Sequence, residues 1–146
     1  MTWRRRLLLG IPALLLLAQL VPVQRTNPPV ERAVTAPPEV MVILRRACFD
    51  CHSHETVWDG WQTRIAPASW LVAHDVREGR QELNFSRWGS GKHAERVGRN
   101  IAEEVREGDM PPRLYVLAHP GARLSAADRA ALLAWAATLP GGAAGR

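Results

Sequence analysis

The chain has 146 residues, room for one domain of ordinary size and little else once a targeting segment is set aside. Its formal charge of +5 would suit an anionic partner, but Arg4, Arg5, Arg6 and Arg25 supply four of the 19 basic residues. From Thr26 onward 15 basic residues face all 14 acidic ones, and no basic stripe interleaved with aromatics points to nucleic acid.

The first element, residues 1–25, has three arginines near its start and continues as an apolar run from Leu7 to Val23, interrupted by Pro12 and Gln19. A positive start followed by an apolar stretch is an export pattern. No small-x-small cleavage site follows, so the expectation is an uncleaved single-pass membrane anchor with its basic end in the cytoplasm; a cleaved signal peptide is the alternative. Either way the remainder is exported. Residues 26–37 are proline-rich and without periodicity, and read as a tether holding the domain off the membrane. The domain proper is expected over 38–140, with 141–146 as a flexible tail.

Within the domain, Pro37-Pro38 opens a first helix whose apolar face is Val40, Ile43, Leu44 and Ala47. A second is predicted from about Pro67, through Trp70 and Leu71, to about Gly79. A third spans about His93 to Glu107, with Ala94, Val97, Ile101 and Val105 at helical spacing and Gly108 as its C-terminal cap. The fourth starts after Ser125, where Ser125-x-x-Asp128 resembles a capping box, and runs through Leu132, Trp135, Ala136 and Leu139 to the Pro140-Gly141-Gly142 stop. No alternating strand pattern or internal repeat is present, so the fold class is all-α.

The chemistry sits at the end of the first helix, in Cys48-Phe49-Asp50-Cys51-His52. C-x-x-C-H is the haem c attachment pattern. Each thiol adds its S–H across one of two vinyl groups on a porphyrin edge, two intervening residues set the sulfur separation, and the adjacent histidine reaches iron through Nε2. These are the only two cysteines. A C-x-x-C disulfide lacks its βαβ setting, and a zinc site of Cys48, Cys51, His52 and His54 lacks a second ligand pair. For the second axial ligand the candidate is Met110, in Gly108-Asp109-Met110-Pro111-Pro112, where a proline-stiffened loop can present a thioether. The alternatives are His74, His93 and His119; His54 is too close to His52 to reach the opposite face. A His/Met haem has no open position, which implies one-electron transfer rather than enzymatic turnover. The competing reading is a haem enzyme or gas and redox sensor with an open or labile sixth position.

The stretches CFDCHSHETVW, IAPASWLVAHDVREGRQELNFSRW, EEVREGDMPPRLYVLAHPGARLS and AADRAALLAWA make the exported part resemble the small bacterial haem-binding domain proteins of the cytochrome c superfamily. The resemblance implies a cytochrome c-like helical domain wrapped around one covalent haem c, with Cys48 and Cys51 attaching it and His52 and Met110 ligating iron. It further implies that the Pro67 carbonyl accepts from Nδ1 of His52, and that Trp58, Trp61, Trp70 or Trp88 packs the haem. Tyr115 is expected to donate to a propionate, and Arg64, Arg77 and Arg80 to be mostly solvated. The implied setting is extracytoplasmic, attached to the cytoplasmic membrane by residues 7–23, with unidentified redox proteins as partners.

Overall fold

The computed structural model describes residues 3–90 and 93–142; Met1, Thr2 and residues 143–146 of the expected tail lie outside the described residues. Among the described residues there are seven α-helices and no strand: α1 (Trp3–Ala18), α2 (Pro38–Ala47), α3 (Phe49–His52), α4 (Ala68–Glu82), α5 (Val97–Glu107), α6 (Arg113–Ala118) and α7 (Ala126–Ala136). Short 3-10 turns at Trp61–Thr63, Ala94–Arg96 and Pro120–Ala122 connect them. The all-α class follows from the 3.6-residue periodicity, which leaves each helix one apolar stripe to bury.

Helix α2 starts on Pro38, carries Glu39 in its first turn and Arg45 and Arg46 in its last, and buries Val40, Ile43, Leu44 and Ala47. Those charges complement the helix dipole. At Cys48 the backbone leaves helical geometry for one residue (φ −130°), and α3 then adds the single turn that holds the second cysteine and the histidine. An aromatic column runs from this turn to the last helix. Phe49 stacks on Phe85 at 5.2 Å, Phe85 on Trp88 at 5.9 Å, and Trp88 on Trp135 at 5.9 Å.

Helix α7 carries the expected capping box. The Ser125 hydroxyl accepts from the Asp128 amide, and the Asp128 carboxylate accepts from the Ser125 amide at 2.7 Å. Arg46 bridges α2 to this cap, with Nη2 2.6 Å from Asp128 Oδ2 and Nη1 donating to the carbonyls of Gly121 and Arg123. Helix α5 ends as expected on Gly108, whose φ of +79° is costly for residues with a Cβ.

Three sequence expectations change. Helix α4 continues past Gly79 to Glu82, because Gly79 lies where the helix touches α3 and only the lack of a side chain allows the contact. Helix α6 was not anticipated; Pro112 sets its N-terminal boundary. Residues 26–37 are not a free tether. Glu31 and Arg32 amides donate to Ser86, the Val34 amide donates to Phe85 at 2.8 Å, the Trp88 amide donates back to Arg32, and Val34 is only 6% exposed. A proline-rich strip has no helix or sheet of its own, so its polar backbone groups are satisfied by the domain surface instead.

The N-terminal helix also ends early, at Ala18, short of Val23. Gln19 turns out of it and pairs with Ala66 in both directions: its Nε2 donates to the Ala66 carbonyl at 3.2 Å and its Oε1 accepts from the Ala66 amide at 3.0 Å. At 16 residues α1 is about 24 Å long, and no helix among the described residues is long and apolar enough to cross a membrane. The expectation of a spanning helix over 7–23 is corrected to this extent. Every residue of α1 except the half-buried Ala18 is exposed.

Candidate functional site

Helices α2 to α7 and the connecting turns line a cavity of about 1290 Å³. It is larger than a drug-sized ligand pocket, for which roughly 300–1,000 Å³ is usual. Its walls are mainly apolar, with Leu44, Val76, Phe85, Trp88, Val97, Ile101 and Leu132 among the lining side chains. Cys48, Cys51, His52 and Met110 all lie on this one wall system, although Met110 comes from a different part of the chain.

His52 is held by the C-terminal end of α4. Its Nδ1–H donates to the carbonyls of Gly79 at 2.9 Å and Leu83 at 3.1 Å, and the Phe85 amide donates to the His52 carbonyl at 2.7 Å. With Nδ1 bound as donor, Nε2 keeps its lone pair, the form a metal-ligating imidazole needs. Burial lowers the His52 pKa, partly offset by the two carbonyls, so the ring is neutral at neutral pH. Pro67 therefore does not serve His52. It caps α4 instead, its carbonyl accepting from the amides of Trp70 and Leu71. The glycine inside α4 was the overlooked signal.

Both thiols are free. Burial, and then the neighbouring thiol, push Cys48 up to about 12; burial, then Asp50 and Asp75, push Cys51 up to about 11. Dithiols that exchange disulfides have depressed values, so the electrostatics run against that reading. Among the described residues no group of three or more His, Cys, Asp and Glu converges as a metal-ion site, which leaves the zinc alternative without a ligand set.

Met110 stands two residues after the α5 cap, Gly108. The amides of Gly108, Asp109 and Met110 all donate to the Glu104 carbonyl at 3.1–3.3 Å, fixing the backbone at the point where the thioether meets the cavity. Among the rivals, His74 lies off the cavity wall on the exposed side of α4, beside Arg77. His93 reaches the cavity, but Nδ1 accepts from Arg96 and Nε2 stands 3.2 Å from Glu82, so both nitrogens are engaged. His119 also lines the cavity and stacks on Tyr115 at 4.4 Å with only Nδ1 engaged, which makes it the one remaining competitor among the described histidines. His54 is buried away from the wall, between Pro29 and Asn84.

Of the other expected pocket residues, Trp70 lies outside the lining, whereas Trp61 and Trp88 are in it. Trp58 donates to Asn27 instead. Tyr115 does line the cavity, but its hydroxyl donates to Asp50 Oδ2 at 2.7 Å, and burial followed by that bond raises its pKa. Asp50 thus joins α6 to the C-x-x-C-H turn, a role sequence spacing does not reveal. Arg113 is the one arginine among the described residues lining the cavity.

Arg80 is also not solvated as expected. From α4 it donates to Ser53 O, Thr26 O, Asn27 Oδ1 and Thr56 Oγ1 at 2.7–2.9 Å, locking the N-terminal strip against the end of the C-x-x-C-H turn.

These residues fit a large flat apolar group carrying a metal that accepts nitrogen and sulfur ligands. A family model for the haem-binding domain matches residues 13–138. The chain belongs to this haem-binding domain family. The matched span includes the strip that Arg80 fastens down. No curated protein and no solved structure matches the chain.

Proposed function

We propose that this haem-binding protein carries a single haem c attached through Cys48 and Cys51, with His52 and Met110 as axial ligands, and works as a one-electron carrier rather than an enzyme. The observation that carries the reading is the convergence of both cysteines, a tautomer-fixed histidine and a loop-held methionine on one apolar cavity. When bound, the haem supplies an Fe(III)/Fe(II) couple whose potential thioether ligation raises. The chain's part is to bind, orient and shield it. Gly79 and Leu83 hold the His52 ring, Glu104 holds the Met110 backbone, and the apolar walls exclude water.

The setting that best suits such a carrier is the outer face of the cytoplasmic membrane, with α1 as the attachment and unidentified redox proteins as partners. Thioether attachment and an arginine-led apolar N-terminus are both features of exported chains.

Acid–acetone extraction and optical spectra of the purified full-length protein test the proposal. The haem should stay with the polypeptide, and both oxidation states should be low-spin, with the weak red charge-transfer band of thioether-ligated ferric iron. Extractable haem would overturn the covalent attachment. A high-spin spectrum, or rapid carbon monoxide binding by the reduced protein, would point to the sensor or enzyme reading instead.

A further inference from the structure

We infer that the small hollow where the end of α1 meets the domain binds a phosphate group, supplied by the headgroup of a membrane phospholipid. The site is separate from the large apolar cavity and does not depend on how iron is ligated. Only the lipid origin of the phosphate rests on the proposed membrane attachment through α1.

The hollow has a volume of about 110 Å³, and Gln19, Arg25, Arg64, Ala66 and Ser69 are among the residues lining it. None of its lining residues belongs to the large cavity. At about 30 Å³ of liquid per water molecule, it has room for a few waters or for one tetrahedral anion. Gln19 builds a wall, because its side-chain amide is fully engaged with Leu15 and with both backbone groups of Ala66. The charge comes from the arginines. Arg25 donates once, to the Thr63 carbonyl at 3.0 Å, and Arg64 makes no side-chain hydrogen bond among the described residues. No carboxylate lines the hollow, and neither arginine has an acidic partner among the described residues. Each guanidinium carries five N–H donors, so most of them remain for a ligand. Two cations sharing so small a space repel each other, and an anion between them reverses the sign of the interaction.

Ser69 adds a donor that points to the same ligand. It is only 3% exposed and lines the hollow, yet its hydroxyl has no hydrogen-bond partner among the described residues. No fully enclosed side-chain oxygen or nitrogen among those residues lacks a partner, so the Ser69 oxygen is open on one side, toward the hollow. Buried hydroxyls are ordinarily hydrogen-bonded, and a phosphate oxygen in the hollow is an acceptor for this one. Ser69 is also the second residue of α4, whose N-terminus has no side-chain cap and no acidic residue in its first turn. The positive end of that helix dipole therefore adds to the two arginines.

Helix α1 identifies the source of the phosphate. Its residues are exposed except for the half-buried Ala18, and from Leu7 onward it is apolar. Gln19 follows it directly and fastens its end to Ala66, in the wall of the hollow. An apolar helix that leaves a bilayer does so at headgroup depth, where lipid phosphates lie. Arginine forks match the oxygens of a phosphate.

The test uses haem-loaded full-length protein in an uncharged maltoside detergent, with the amide resonances of Ala66 and Ser69 followed by NMR. The protein is titrated with dihexanoyl-phosphatidylglycerol, with inorganic phosphate and with dihexanoylglycerol. Phosphatidylglycerol should shift both amides and saturate, whereas dihexanoylglycerol, which lacks the phosphate, should not. Arg25→Gln and Arg64→Gln should each weaken binding about tenfold, the loss of one charge-assisted contact. Ser69→Ala keeps the shape of the site and should weaken binding about three- to tenfold. Arg45→Gln removes the same charge from α2 and should change nothing. Inorganic phosphate binding as tightly as the lipid would keep the phosphate site and overturn its lipid origin. Equal shifts from dihexanoylglycerol, unchanged binding in the Arg25, Arg64 and Ser69 variants, or no saturable shift with either phosphate would overturn the site itself. The optical spectrum of the same sample reports on the haem separately, so failure here is distinguishable from failure of the electron-carrier reading.

Discussion

A Cβ built on Gly79 would stand 2.7 Å from the carbonyl oxygen of Cys51, closer than real side chains approach backbone. The same glycine's carbonyl accepts from His52 Nδ1. One residue thus sets both how near α4 lies to the cysteine motif and how the histidine ring is aimed.

Gly79→Ala separates two opposing effects. Alanine in a helix interior is favoured over glycine by about 1 kcal/mol. Forcing a methyl group against a backbone carbonyl costs typically about 1–3 kcal/mol, and backbone yields less readily than a flexible side chain. The clash should win, with a net loss of about 1–2 kcal/mol in denaturant unfolding of the haem-loaded protein. Because α4 must move outward, both acceptors of His52 move with it, and the midpoint potential should shift in a redox titration. A variant of unchanged or greater stability would refute the close approach.

Arg80 offers a second test of what ties the site together. Arg80→Ala removes four hydrogen bonds from a cationic donor that burial has already made less basic. Hydrogen bonds to charged groups contribute about 1.5–3 kcal/mol each but are not additive, so a loss of about 2–4 kcal/mol is expected. Arg80→Lys should recover little, since an ammonium cannot span acceptors spread over Ser53, Thr26, Asn27 and Thr56. Protease sensitivity should rise within residues 19–36 in both variants, which limited digestion would detect; full rescue by lysine would count against a fork-shaped clamp.

These two residues also show where sequence reading succeeds and fails. Ser125, Asp128 and Gly108 were legible because caps act within one turn of chain, so local spacing carries all the information. Cys48, Cys51 and His52 are likewise close enough in sequence for one turn to bring them to the same cavity wall. Gly79 was read as a helix end because a glycine inside a helix makes sense only once α3 lies against it. Arg80 was read as solvated because its acceptors lie 24 to 54 residues away, two of them beyond the C-x-x-C-H turn and two on a strip with no periodicity to announce that it packs. Pro67 was assigned the acceptor role by resemblance, but α4 delivers Gly79 and Leu83 instead. Short-range chemistry could be read from the sequence; the assignments that depended on which helix meets which could not.

The axial ligand can be decided by paired substitutions. Met110→Ala should abolish the thioether charge-transfer band of the ferric protein and lower the midpoint potential, with little loss of attached haem, because Cys48, Cys51 and His52 remain. His119→Ala should leave the band intact and cost only its stacking on Tyr115, about 0.5–1.5 kcal/mol for such a pair. The opposite pattern would make His119 the ligand.

Acid should weaken the fold through Asp128. Its carboxylate accepts from Arg46 and from the Ser125 side chain and amide, and these bonds hold its pKa down to about 2 against an ordinary value of 3.8. A pKa lowered in the folded state means that the ionised form favours folding. The contribution is therefore fully present above the ordinary value and is lost as pH falls from about 4 toward about 2. Asp128→Asn weakens the cap and removes the charge paired with Arg46, so it should cost about 1 kcal/mol at neutral pH. In that variant no carboxylate is left to protonate at this cap. Unfolding free energies measured from neutral pH down to about 2 should then show the two proteins separated at neutral pH and converging as the wild type titrates. A gap that stayed constant across that range would mean that Asp128 acts through shape alone, and that its bond to Arg46 adds nothing to stability.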